Sequence, residues 1–210
     1  MRKNWEARRE EISAMDRELW ARGIRFAGMD EVGRGPLAGP VAAACVIMPQ
    51  DPLLLYVDDS KQLSEKRREM LSARILEIAE FSRIEFVEAG RIDEINILNA
   101  TKEAMTRAAG DAPCGLFLVD AISSLPVKGE VRGIVHGDAT CYSIAAASIV
   151  AKVARDRFMV EMDAKYPEYG FARNKGYGTR AHIDALRKYG PCPLHRRSFI
   201  GNFVSGAVCP

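Results

Sequence analysis

Apolar residues recur along the chain with two different periods. Trp5, Ile12, Met15 and Leu19 fall roughly on one face of a helix over residues 5–20, which Gly23 ends. Beyond it the pattern changes, and residues 24–30 and 40–48 read as strands. The second is apolar on both faces and belongs inside a sheet. Ser64 fits the cap of a helix over 65–80 that turns Met70, Leu71, Ile75 and Ile78 inward. FSRIEFVEA, 81–89, alternates and predicts a strand exposed on one side. Residues 93–109 give another amphipathic helix. GLFLVD, 115–120, is a short buried strand ending on an acid, and VRGIVH, 131–136, a fifth strand. Residues 140–162 predict the longest helix. Its small residues, Ala145, Ala146, Ala147, Ser148, Ala151 and Ala154, suit close packing against a sheet. This order predicts a mixed-sheet α/β domain with a helical C-terminal piece.

Composition narrows the setting. The chain has 210 residues, 48% of them apolar, which suits one domain with a substantial core. Thirty Lys and Arg against 28 Asp and Glu leave a net charge of +2. That balance alone says nothing about nucleic acid. Locally it is different: residues 170–199 carry Arg173, Lys175, Arg180, Arg187, Lys188, Arg196 and Arg197 against Asp184 alone. Cysteines 45, 114, 141, 192 and 209 form no close pair with metal-ligand spacing and read as free thiols in a reducing compartment. The N-terminal MRKNWEARREE lacks the apolar core of a signal peptide, and the run VAAACVIM is too short to span a bilayer. A soluble, cytoplasmic monomer is the expectation.

The acids fall at strand ends. Asp30 and Glu31 end the first predicted strand, Asp120 ends the fourth, and Asp138 lies just past the fifth. Three segments that converge there would make an oxygen-rich site for hard divalent cations. Taken singly, each acid is equally a turn former or helix cap. Neighbouring strand residues also point to opposite faces. Asp30 and Glu31 therefore share a site only where the strand twists, bulges or ends, and the glycines after Glu31 predict such an ending. Gly33-Arg34-Gly35 leaves backbone uncovered, either as a plain turn or for close approach to a sugar or phosphate.

GMDEVGRGPLAGPVAAA, residues 28–44, closely resembles the opening signature of ribonuclease HII, the type 2 ribonuclease H. The resemblance continues through DDSKQLSEKRRE at 58–69, ILNATKEAM at 97–105, LVDA at 118–121 and GDATCYSIAAASIVAKVARDRFM at 137–159. It ends with NKGYGTRAHIDAL at 174–186 and HRRSF at 195–199. It implies an α/β, ribonuclease H-like mixed five-stranded sheet flanked by helices, with a helical C-terminal region. The implied division is an N-terminal helical extension 1–22, a catalytic core 23–165 and a substrate-binding region 166–210. The implied activity is hydrolysis of RNA in RNA/DNA hybrids and nicking 5′ of single ribonucleotides in duplex DNA, leaving 3′-OH and 5′-phosphate ends.

Position by position, the family's four catalytic acids fall on Asp30, Glu31, Asp120 and Asp138, which would hold two divalent ions, Mg²⁺ or Mn²⁺. Asp30 would bridge them, Glu31 and Asp120 complete their shells, and Asp138 hold the ion that activates water. Gly33, Arg34 and Gly35 match the element that reads the 2′-OH, and Tyr177 the junction-sensing tyrosine. Lys61 is a further phosphate contact, and the basic 170–199 stretch tracks the duplex backbone. His136, His182 and His195 read as non-catalytic, His195 ordering the HRRSF segment. For Arg155 and Asp156 a structural ion pair or a packing role is expected. One departure is Ala121, where family members usually carry glycine; a small residue replaces a small one. A metal-dependent phosphatase or nuclease of other specificity, and a non-catalytic hybrid-binding module, are the rival readings. Ribonuclease HIII carries an extra N-terminal domain for which the N-terminal twenty residues are too few. The C-terminal VSGAVCP shows no clear clamp-binding motif.

Overall fold

The chain opens with two short helices, α1 (Trp5–Ile12) and α2 (Ala14–Ala21), where one was expected. Ser13 separates them. Its hydroxyl bonds back to the carbonyl of Arg9 at 2.7 Å, and its backbone leaves helical geometry at ψ 1°. The computed structural model describes residues 4–204; Cys209 and most of VSGAVCP lie outside them.

Within those residues five strands form one sheet: β1 (Phe26–Val32), β2 (Val41–Ile47), β3 (Phe81–Val87), β4 (Leu116–Asp120) and β5 (Glu130–Ile134), in the order β3-β2-β1-β4-β5. The first three make an antiparallel meander, and β4 and β5 run parallel to β1. Helix α3 (Glu65–Ile78) precedes β3, and α4 (Ala89–Ala109) crosses from β3 to β4. After β5 come α5 (Gly137–Thr140), α6 (Tyr142–Asp163), α7 (Phe171–Asn174), α8 (Arg180–Tyr189) and α9 (Arg197–Ile200).

The alternation within β2 builds both halves of the core. Val41, Ala43, Cys45 and Ile47 pack with Ile92, Ala104 and Met105 of α4. Ala44 and Val46 pack with Leu71 and Ile75 of α3 and with Ala145, Ala146 and Ile149 of α6. The small residues of α6 act as expected, because the helix lies directly on β1. A Cβ at Gly28 would stand 2.1 Å from the carbonyl carbon of Ser143.

Three details depart from expectation. Met70 is half exposed, because Leu71 and Ile75 define the inward face of α3 and Met70 lies about 100° off Leu71. Helix α4 starts at Ala89 rather than 93 and breaks at Asn96 (φ 65°), whose side chain accepts from the Asn99 N–H. The helix expected over 140–162 is preceded by the separate turn α5, which carries Asp138. The C-terminal helices close over residues 33–40: Leu37 packs with Leu186 and Ile200, and Ala38 with Met159, Tyr169 and Phe171. Asp93 of α4 anchors α9 by accepting from the N–H groups of Arg197 and Ser198 at 2.7 and 2.9 Å. Among the described residues no helix is long and apolar enough to cross a membrane.

Candidate active site

The expected ending of the first strand occurs on one side only. β1 stays paired with β2 as far as Val32↔Ala42. Its pairing with β4 stops at Met29↔Val119. Asp30 and Asp120 are the next residues on these two strands, so they stand side by side where the strands part. Asp30 shares the α6 face, where Ser148 lines the same cavity. Glu31 follows on the other face. Both reach one cavity because it straddles the open end of the sheet. Asp138 arrives from α5, held near β4 by the Gly137 N–H donating 2.7 Å to Asp120 Oδ1.

That cavity, about 370 Å³, is lined by Asp30, Glu31, Asp120 and Asp138, by Gly33, Arg34, Gly35, Lys61 and Tyr177, and by Ser60, Ser148 and Lys152. Every site residue picked from the sequence is there. Its electrostatics are unfinished. Burial, followed by the neighbouring Glu31 charge, pushes the Asp30 carboxyl well above its ordinary range. Burial also raises Glu31, against the pull of Arg34, and raises Asp120. Two cations of the chain are borrowed: Lys61 Nζ lies 2.9 Å from Asp138 and the Arg34 guanidinium 3.3 Å from Glu31. Glu31 Oε2 is buried with no hydrogen-bond partner. Among the described residues no three His, Cys, Asp or Glu side chains gather tightly enough to enclose one ion, as mutually repelling carboxylates with separate partners should not. The pocket is short of positive charge, and its oxygens are those that hard divalent cations take.

The loop beside it is complete by contrast. Arg155 donates to the carbonyls of Pro40, Lys175 and Ala38 at 2.8, 3.0 and 3.1 Å. Arg196 donates to Gly39, Arg34 and Gly33 at 2.9, 2.9 and 2.6 Å. Both guanidiniums are fully buried, and all six of these acceptors are carbonyl oxygens. Burial and the nearby Arg155 charge push Arg196 down to about 9. Gly33, at φ 91°, is where Arg155 lies: a Cβ would sit 2.1 Å from its Nε. Leu37 N–H donates 2.8 Å to Gly176 O, stitching the Gly-Arg-Gly loop to the turn that carries Tyr177.

A chain of hydrogen bonds supports that turn from behind. Cys192 N–H donates to His195 Nδ1 at 3.0 Å, which leaves the His195 proton on Nε2. That N–H donates to His182 Nε2 at 3.0 Å, and His182 Nδ1–H donates to the Tyr177 carbonyl at 2.8 Å. Burial lowers both histidines, His195 to about 4. The His195 ring bonds to Cys192 and His182, while the next residues of the HRRSF segment are held by Leu37 and Asp93; His136 is exposed at a left-handed turn. The sequence reading placed Arg196 on the duplex-facing surface; it is inside, holding the loop. Asp156 pairs with Lys152 at 2.8 Å while Arg155 turns to carbonyls. Ser60, Ser148 and Lys152 were missed. Ser148 lay within the small-residue stripe, and nothing in that stripe separates a packing serine from one facing an acid.

Comparison with known proteins decides the family. The model of the family Ribonuclease HII matches residues 27–202. The chain belongs to the ribonuclease HII family. A ribonuclease HII of Acetivibrio thermocellus is 52% identical over 198 residues, 92% of this chain and 77% of that protein. Among solved structures, the PCNA:RNase HII complex from Archaeoglobus fulgidus matches with a TM-score of 0.72 and 25% identity, covering 85% of this chain and 96% of that one. Bst-RNase HIII in complex with Mn²⁺ matches at 0.62 and 18%, covering 90% and 67%, a likeness of fold alone. Membership in the ribonuclease HII family makes this chain a type 2 ribonuclease H, an endonuclease that hydrolyses phosphodiester bonds, in a family that depends on divalent metal.

Proposed function

We propose that this endonuclease cuts RNA in RNA/DNA hybrids and nicks duplex DNA on the 5′ side of a single embedded ribonucleotide, leaving 3′-OH and 5′-phosphate ends. The observation that carries this reading is the one cavity that four carboxylates share with the Gly33-Arg34-Gly35 loop and Tyr177. Asp30, Glu31, Asp120 and Asp138 would hold two divalent cations, Mg²⁺ or Mn²⁺. The raised carboxyls and the partnerless Glu31 oxygen fit such ions. When bound, the ions supply charge to the attacking and leaving oxygens of an in-line phosphoryl transfer.

The rest is the work of the chain's own groups. Gly35 is exposed with nothing where a Cβ would stand, so its backbone is open to a ribose 2′-OH, while Gly33 makes room for the Arg155 side chain that holds the loop in place. Tyr177, partly exposed on its stitched turn, packs on the sugar at the junction. Arg34 reaches solvent at the cavity mouth and offers charge to a phosphate. Lys61, exposed beyond its contact with Asp138, does the same once the acid is otherwise neutralised. Arg173, Arg180, Arg187, Lys188 and Arg197 remain exposed for the duplex backbone.

The test is a DNA duplex with one internal ribonucleotide, incubated with Mg²⁺ or Mn²⁺, with the ends mapped. A nick immediately 5′ of the ribonucleotide, lost in Asp120→Asn, is expected. Cleavage of a long hybrid without that nick would remove junction recognition from Gly33, Arg34, Gly35 and Tyr177.

A further inference from the structure

The site leaves α1 and α2 without a task, and both precede the matched residues 27–202. Their polar side chains grip the segment carrying Asp138 at both ends. Arg8 of α1 donates from Nε and a terminal nitrogen to Asp58 Oδ1 at 3.2 and 2.8 Å. The same terminal nitrogen donates to the carbonyl of Ala139. Asp58 is fully buried and stands on the loop that carries Lys61; Ala139 follows Asp138 directly. Beyond α5, the buried Asp16 of α2 accepts from the N–H groups of Tyr142 and Ser143 at 3.1 and 3.0 Å, from the Ser143 hydroxyl and from the Cys141 thiol at 3.3 Å. It satisfies donors at the start of α6 that the helix cannot pair itself.

Packing alone does not call for these groups. Ile12 and Leu19 already fasten the two helices through apolar contact, and buried charge is a costly way to add adhesion. A guanidinium fork shared between a loop and a turn fixes their relative position, because its donors diverge at set angles. We propose that Arg8 and Asp16 are positioning residues for the carboxylate site, setting where Asp138 and Lys61 stand. This rests on the reading of Asp138 as a cation ligand.

The test measures Mn²⁺ binding to the substrate-free, full-length protein by titration calorimetry, beside kcat and KM on the single-ribonucleotide duplex. Arg8→Met is expected to fold, to bind Mn²⁺ about tenfold more weakly and to lose kcat to a similar degree, as removal of a group that orients a metal ligand does. Its KM for the duplex should hold. Arg8→Lys keeps a partner for Asp58 without the fork and should fall between. Glu11→Gln removes the exposed ion-pair partner of Arg8 and should change neither reading. Unaltered Mn²⁺ affinity and kcat in both Arg8 variants overturn the proposal, even where the melting temperature falls, since a purely structural clamp predicts that fall alone. Should Arg8→Met fail to fold, Arg8→Lys decides on the same readings. Asp138→Asn separates the two levels. If it keeps Mn²⁺ binding and cleavage, the ligand reading fails and the strap with it. If it is inactive beside an unimpaired Arg8→Met, only the strap fails.

Discussion

The two walls of the cavity bury opposite charges and treat them in opposite ways. On the sheet side, Asp30 is a buried acid and Glu31 and Asp120 are partly buried ones, with too few donors, and one Glu31 oxygen has none. On the loop side, Arg155 and Arg196 are buried cations bonded to six carbonyls. An unsatisfied buried charge is costly, so it persists where a ligand completes it. A satisfied one holds backbone still. The sheet side is therefore the place where something binds, and the loop side is the rigid frame that presents Gly33, Arg34 and Gly35 to it.

Removing a charge from each wall should give opposite results. Asp30→Asn is expected to abolish cleavage while raising the melting temperature of the metal-free protein, because it relieves the most strongly raised carboxyl in the cluster. A lower melting temperature without metal would break the claim that this wall is unfinished. Arg196→Met removes the donors of three carbonyls, two of them in buried bonds, and should cost about 3–5 kcal/mol in urea unfolding. Arg196→Lys should rescue little, since an ammonium cannot span Gly33, Arg34 and Gly39 as a fork does.

The walls also differ in the sign of their pH response. A carboxyl whose folded pKa is raised binds more protons folded than unfolded between its ordinary value near 3.8 and the raised one. Its contribution to stability therefore falls as pH rises through that window. The buried histidines do the reverse. With His195 lowered from 6.5 to about 4, the unfolded chain takes up the proton first, so stability is full above about pH 6.5 and falls as pH drops toward 4. For His195 that loss is about 3 kcal/mol. Urea midpoints from pH 7 to 4 should show it as a slope that His195→Gln flattens. A variant that keeps the wild-type slope would locate the titration elsewhere.

The acids were legible because strand periodicity marks strand ends, and functional groups gather there. The way Asp30 and Glu31 share a cavity was not, since the sequence shows one strand and not its two neighbours, which release it at different residues. Arg196 was misplaced for a related reason. A charge run records composition, and the only sign that one of its members turns inward is a distant loop whose carbonyls need donors. Arg8 and Asp16 were hidden in an amphipathic helix whose apolar face accounted for its docking, and Ser13 splits that helix through a side-chain bond that periodicity does not register.

Ala121 gives the smallest effect, at the boundary between the two kinds of information. As a side chain it is a small residue where the resemblance leads one to expect glycine, and the exchange looks neutral. As backbone it stands at φ 51°, directly after Asp120, with its N–H donating 3.1 Å to Ile134 O. An L-residue there costs about 1–2 kcal/mol, whereas glycine costs about 0.5–1 kcal/mol through the freedom of the unfolded chain. The methyl is exposed and packs on little. Ala121→Gly should therefore stabilise the metal-free protein by about 0.5–1 kcal/mol, a rise of roughly 1–4 °C in melting temperature for a chain of this size. Cleavage should stay intact, because Asp120 keeps its bond from the Gly137 N–H. A fall in stability on this exchange would show that the turn after Asp120 does not hold a left-handed residue. The sheet wall would then carry less backbone strain than its geometry implies.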